Sequence, residues 1–280
     1  MVTIYLFFFL FLCYKYIGEF MRELFLVFLS ILPVYLVGRY IYNKDSVKEP
    51  KSLLIKLFLS GIGAFFVTII ITLVLSLFFP SLLSESMNFD LVELFFHVFF
   101  GIALVEEFSK WIFVYKIGFN NKEFDQVYDM IVYAVFVALG FACFENIFYV
   151  LENGFVTAVV RGLLAVPGHA CDGVFMGYYL SMAKLSSIHS NDSLRKCNLF
   201  LSIFVPMLLH GFYDYCLFSQ NVLLILLFFV FIISLYVITS KRTNKVSSIR
   251  GNIKYRNKFC GNCGRHVDSD FCPNCGSRNE

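Results

Sequence analysis

The chain has 280 residues, 59% hydrophobic and only 15% charged, with a formal net charge of +3. So few charges cannot cover a soluble surface, which excludes a globular cytosolic protein and indicates a polytopic membrane protein. The small positive excess is accounted for by loop lysines and arginines and gives no reason to expect direct contact with nucleic acid.

The first apolar run, residues 2–16, is shorter than a comfortable span and reaches Lys15 without a small-residue cleavage motif. It is expected to be an eighth span or an interfacial helix, not a removable signal peptide. Seven longer runs follow at 25–42, 53–79, 91–115, 127–151, 156–183, 199–218 and 222–239. Each holds about 20 or more mostly apolar residues, enough for a helix to cross the bilayer. The expected fold class is all-α: a polytopic membrane helical bundle of seven or eight transmembrane helices over residues 1–240.

Basic residues collect on alternate connections. Arg39, Lys44, Lys48 and Lys51 follow the first long run, Lys116 and Lys122 the third, Lys184, Arg195 and Lys196 the fifth, and Lys241, Arg242 and Lys245 the last. The connections near 84–90, 152–154 and 219–221 carry none. The positive-inside rule therefore predicts a multi-pass cell-membrane protein with a cytoplasmic C-terminus.

Hydrophobicity stops in a basic linker, residues 241–258, and a small C-terminal domain occupies 259–280. Its run FCGNCGRHVDSDFCPNCG supplies Cys260, Cys263, Cys272 and Cys275 as two CxxC knuckles, the spacing of a tetrahedral structural zinc site. Four sulfur ligands leave no open position for catalysis, so this zinc ribbon is expected to stabilise or dock. The other cysteines, Cys13, Cys143, Cys171, Cys197 and Cys216, lie in or near spans and read as small apolar fillers.

Ionisable residues inside the apolar runs carry most of the functional information. Charge in hydrocarbon costs roughly 2.5–3.5 kcal/mol per residue even on the lenient insertion scale, so intramembrane charges demand a role. Glu106, Glu107 and Lys110 share a helix face in VEEFSKW, where the lysine partly neutralises the acids and leaves one glutamate as a base. Glu145 and Asn146 fall in FACFENIFYV, and Arg161 and His169 are eight residues apart in RGLLAVPGHACDG. Pro167 and Gly168 beside His169 predict a locally irregular helix. His210 and Asp214 are one turn apart, so the carboxylate can hold one imidazole nitrogen and present the other to a reacting centre, with Pro206 bending the helix one turn earlier. A buried ion network that merely fixes helix register is the structural alternative. Rise-per-residue arithmetic sets Glu106 and His169 in the inner half of the bilayer and Glu145 and His210 in the outer half, which works against their meeting.

EExxK at Glu106 to Lys110, FxxxEN at Phe141 to Asn146, the Arg161 and His169 pair with Gly177 eight further on, and HxxxD at His210 to Asp214 resemble the motif series of the PrsW intramembrane proteases, across residues 50–218. The resemblance implies a glutamate-type intramembrane endopeptidase, distantly similar to CAAX proteases. It implies a membrane-anchored protein substrate of the anti-sigma factor kind, cleaved in stress signalling. It also implies catalytic roles for Glu106 as general base, Glu107 as supporting acid, Glu145, His169 and His210 in positioning water or the oxyanion, and Asp214 in orienting His210. Lys110, Asn146 and Arg161 would support them from behind. A catalytic metal on Glu145, His169 and His210 stays open, since such ligands suit zinc. Asp125 and Asp129, in the cytoplasmic stretch NKEFDQVYDM, have no role in this scheme, and the zinc ribbon is an appendage the resemblance does not require.

No HExxH helix is present and no serine falls beside a histidine within the apolar runs, so zincin and serine-triad arrangements have no support. Two other classes use the same residue types. An ion-coupled transporter would run protons over the carboxylates and histidines, although no repeated segment pattern is evident. A non-catalytic receptor would use the ribbon to recruit a partner.

Overall fold

The computed structural model describes residues 2–83, 90–188 and 190–249, with short stretches at 258–259, 266–267 and 274–277; side chains are described from Gly18 onward, except at Ser81, 258–259 and 266–267. Nine α-helices account for almost all of it: α1 Val2–Lys44, α2 Lys51–Phe78, α3 Leu91–Phe96, α4 Leu104–Gly118, α5 Val127–Asn153, α6 Phe155–Leu163, α7 Ala165–Ile188, α8 Asp192–Phe218 and α9 Val222–Ser247. A π-helical stretch, His97–Ala103, joins α3 to α4 without a break.

Five helices are long and apolar enough to cross a membrane: Gly18–Lys44 within α1, then α2, α5, α8 and α9. This makes the chain a multi-pass membrane protein. The other two long runs expected to span, 91–115 and 156–183, are the ones whose helices change form. The first passes through the π-helical stretch, and the second is divided at Leu164 into α6 and α7. Both carry ionisable residues, and irregular backbone at membrane depth is tolerated only where protein or a wet cavity surrounds it. At the division the Tyr236 hydroxyl of α9 lies 3.0 and 3.1 Å from the carbonyl oxygens of Leu163 and Leu164, satisfying backbone that the interrupted ladder releases.

Residues 2–16 are not a separate element. They continue into α1, whose 43 residues make a rod about 65 Å long, because a lone Gly18 is too weak a breaker to stop an otherwise apolar helix. Pro206 does not end α8 either, which continues through it to Phe218.

α5 is the centre of the bundle. Its best apolar window is 89% buried, against 17% for α2 and 22% for α9, and it packs on α1, α2, α4, α6, α7 and α9. A helix apolar all round belongs inside, and YAVFVALGFACF offers no polar face to turn outward. The exposed apolar rows of the outer helices, such as Leu226, Val230, Ile233 and Val237 on α9, face lipid instead.

Small residues let the central helices approach closely. A Cβ on Gly140 of α5 would fall 1.9 Å from the Phe58 carbonyl oxygen of α2, and one on Gly61 would fall 2.0 Å from the Val137 carbonyl oxygen. On the opposite side, a Cβ on Gly177 of α7 would fall 2.4 Å from the Met130 carbonyl oxygen. Backbone meets backbone at these crossings, as membrane helices pack when lipid supplies no hydrophobic drive between them.

At the C-terminal end, Lys258–Phe259 (β1) and His266–Val267 (β2) pair antiparallel, with Phe259 opposite His266. Cys260, Cys263 and Cys272 lie outside the described residues; Cys275 is described and exposed, its Sγ 3.1 Å from Ser277 Oγ.

Overpacking at a backbone crossing costs typically 1–3 kcal/mol. Gly140→Ala and Gly177→Ala are therefore expected to lower the thermal unfolding midpoint of the purified protein. Gly63→Ala, whose Cβ would meet only the Phe113 ring edge at an ordinary 3.4 Å, should leave it in place.

Candidate active site

The first turns of α4 follow directly from the π-helical stretch and project Glu106, Glu107 and Lys110 inward. Lys110 Nζ donates to Glu107 Oε1 at 2.7 Å and to Glu106 Oε2 at 3.3 Å, and lies 3.2 Å from His169 Nδ1. The ammonium also sits 4.1 Å above the Phe141 ring of α5. Lys110 and Glu107 are fully buried, at 1% and 0% exposure, so each needs the other to offset its lost hydration.

His210 of α8 comes to the same place. Its Nδ1 is 2.9 Å from Glu107 Oε1, and its Nε2 is 3.3 Å from Asp214 Oδ2 and 3.9 Å from Glu106 Oε2. The Asp214 contact is the one expected from sequence. The other ring nitrogen, expected to face a reacting centre, is taken by Glu107. The two imidazoles lie edge to face, their centroids 5.2 Å apart.

Glu145 anchors the opposite wall. Its Oε2 is 3.0 Å from His169 Nε2 and 2.9 Å from an Arg161 guanidinium nitrogen. Arg161 Nε donates to Asn146 Oδ1 at 3.0 Å, and Asn146 Nδ2 donates to the Ser30 carbonyl of α1 at 3.1 Å. Arg161, in the last turn of α6, and His169, in the first turns of α7, thus reach one carboxylate across the division at Leu164. The irregularity expected at Pro167 falls three residues earlier, and Pro167 sits in the opening turn of α7, where its missing N–H removes no ladder bond.

The depth arithmetic is overturned. Glu106 and Glu107 (α4), Glu145 (α5), His169 (α7) and His210 (α8) form one contact network. All but Glu107 line a cavity of about 600 Å³, together with Arg161 and Asp214. Asp172, Tyr149, Tyr213 and His97 line it as well and were not singled out from the sequence. Asp172 had a signal in its favour: it is three residues beyond His169, on the same helix face.

Within the pair of adjacent acids the environments differ. Glu107 is enclosed and its Oε1 is shared between Lys110 and His210. The Glu106 side chain keeps 13% exposure and opens onto the cavity.

The residues fit a metal ion. Glu106, Glu107, His169 and His210 each offer a ligand atom within 4.8 Å of the others. Glu107 Oε2 is buried with no hydrogen-bond partner, and mixed imidazole and carboxylate donors suit zinc. Glu145, expected among such ligands, is outside this group, its Oε2 being occupied by Arg161 and His169.

Residues 49–238 match the model of a family described as PrsW family intramembrane metalloproteases, and the chain belongs to that family. It is similar to Protease PrsW of Oceanobacillus iheyensis, 40% identical over 77% of this chain and 94% of the relative. It is also similar to the proteins of the same name from Clostridioides difficile, 33% identical over 79% and 90% of the two chains, and from Bacillus subtilis, 36% identical over 67% and 80%. No solved structure matches the chain. The protein is a protease of the membrane, and a transporter reading is not favoured.

Breaking a buried ion pair by removing one partner costs about 3–5 kcal/mol. Lys110→Met should therefore lower the unfolding midpoint sharply, as read by thermal denaturation in detergent, and more than Lys122→Met, whose ammonium is exposed.

Proposed function

We propose that the cavity hydrolyses a peptide bond of a membrane-anchored protein within or beside the bilayer, with Glu106 as the general base. The supporting observation is the asymmetry of the acid pair. Glu107 is enclosed and its Oε1 is spent on Lys110 and His210, whereas Glu106 has a cavity-facing carboxylate beside space for water. Glu106 takes a proton from water as it attacks the scissile carbonyl. His210, held by Asp214 and Glu107, and His169, held by Glu145, border the same cavity and position the attacking water against the scissile carbonyl. Lys110, Asn146 and Arg161 hold these groups in place from behind.

Glu107, His169 and His210 would hold the metal, a His2Glu set that leaves an open position and keeps Glu106 free as base. When bound, such an ion activates water and polarises the scissile carbonyl. The substrate, by the family resemblance, is a membrane-anchored regulator of the anti-sigma factor kind whose cleavage signals stress. In this reading 91–118 and 155–188 complete seven spans around α5, residues 1–240 form the protease bundle, and the basic loops and C-terminus face the cytoplasm. The linker 241–258 then carries a zinc ribbon in which Cys260, Cys263, Cys272 and Cys275 bind structural zinc, with β1 and β2 flanking its first knuckle.

Glu106→Gln tests the base. Membrane-protein fragments that distinguish wild-type from mutant cells identify the substrate. On that substrate in proteoliposomes the variant should lose at least about 10²-fold in rate while still showing a cooperative unfolding transition; undiminished cleavage would sink the assignment. Metal content gives a separate check. In the full chain with all four ribbon cysteines changed to serine, elemental analysis should find one zinc-class transition-metal ion per chain, lost on His169→Gln.

A further inference from the structure

A second cluster of carboxyl groups lies where the α1–α2 loop meets the start of α5, and the proteolytic scheme makes no use of it. Asp45 and Glu49 belong to the loop and Asp129 to the first turn of α5. They are 4%, 6% and 0% exposed. An oxygen of each lies within 4.8 Å of an oxygen of both others. Asp45 Oδ2, Glu49 Oε2 and Asp129 Oδ1 are all buried without a hydrogen-bond partner.

The backbone holds the group in place. Asp45 Oδ1 accepts from the Val47 N–H at 3.2 Å, and Asp129 Oδ2 accepts from the N–H groups of Asp125 and Gln126 at 2.8 and 2.6 Å. Tyr133, one turn along α5 from Asp129, adds a fully buried hydroxyl beside Glu49. The nearby cation does not neutralise the acids directly: Lys48 Nζ turns to the carbonyl oxygens of Tyr42 and Asp45, at 2.5 and 2.7 Å. Burial, and after it the Asp129 carboxylate, pushes the Glu49 carboxyl up to about 8. Three buried acids with unspent oxygens and no ammonium among them are short of positive charge.

We propose that Asp45, Glu49 and Asp129 bind an oxygen-preferring divalent cation, of the magnesium or calcium class, which fastens the α1–α2 loop to the first turn of α5. All three donors are carboxylate oxygens, the set that hard cations prefer and zinc does not require. Oxygens no more than 4.8 Å apart can share one ion whose oxygen ligands lie at about 2.4 Å. The site is separate from the proteolytic cavity, because Asp129 and Glu145 are 16 residues apart on α5, about 24 Å. Its loop connects α1 to α2 on the face expected to meet the cytoplasm.

The full chain in detergent, stripped with EDTA and dialysed, is titrated separately with magnesium chloride and calcium chloride. Thermal unfolding and equilibrium dialysis are the readouts. One ion per chain and a midpoint raised by several degrees are expected, and the cation that acts at lower concentration identifies the occupant. Glu49→Gln should abolish the shift, whereas Glu106→Gln should retain it. Asp45→Asn serves as a second variant if Glu49→Gln does not fold. The proposal is overturned if neither cation binds wild-type protein, if the shift survives at full size in the folded loop variant, or if Glu106→Gln removes it.

Discussion

The Lys110 ammonium is the element on which the polar interior depends. It sits 2.7 and 3.3 Å from two adjacent glutamates and 3.2 Å from a histidine, on a side chain that is only 1% exposed. Without that charge, Glu106 and Glu107 would be buried like charges on one helix turn, an arrangement that drives one of them to take a proton. With it, both acids keep hydrogen-bonding capacity for other helices. Glu107 passes the connection to His210 and Asp214. His169 passes it to Glu145, Arg161, Asn146 and the backbone of α1.

Two of the helices that carry this network are irregular: a π-helical stretch precedes α4, and a division at Leu164 precedes α7, where Tyr236 satisfies the released carbonyls. Close backbone crossings at Gly61, Gly140 and Gly177 then hold α2 and α7 tightly against α5, so that side chains from α4, α5, α7 and α8 can bear on one cavity.

The two acidic clusters of α5 resolve the same electrostatic problem differently. Around Glu145, the guanidinium of Arg161 and the imidazole of His169 meet the carboxylate directly. Around Asp129, the neighbours are two more carboxyl groups and a tyrosine hydroxyl, and the local lysine bonds to backbone.

Much of the site was legible in the amino-acid order. EExxK, FxxxEN and HxxxD place residues three or four apart, and helical periodicity puts such residues on one face whatever the surroundings, as the Lys110 and Asp214 contacts bear out. The apolar runs likewise mark α2, α5, α8 and α9, since hydrocarbon demands about 20 apolar residues in a row. What only the tertiary structure decided lies between helices. The capture of the second His210 nitrogen by Glu107, the place of Asp172 and Tyr213 in the cavity wall, and the meeting of Asp45, Glu49 and Asp129 join residues far apart in the chain. The turn of the helix cannot relate such residues; packing around α5, with its glycine crossings and two interrupted partners, sets their distances.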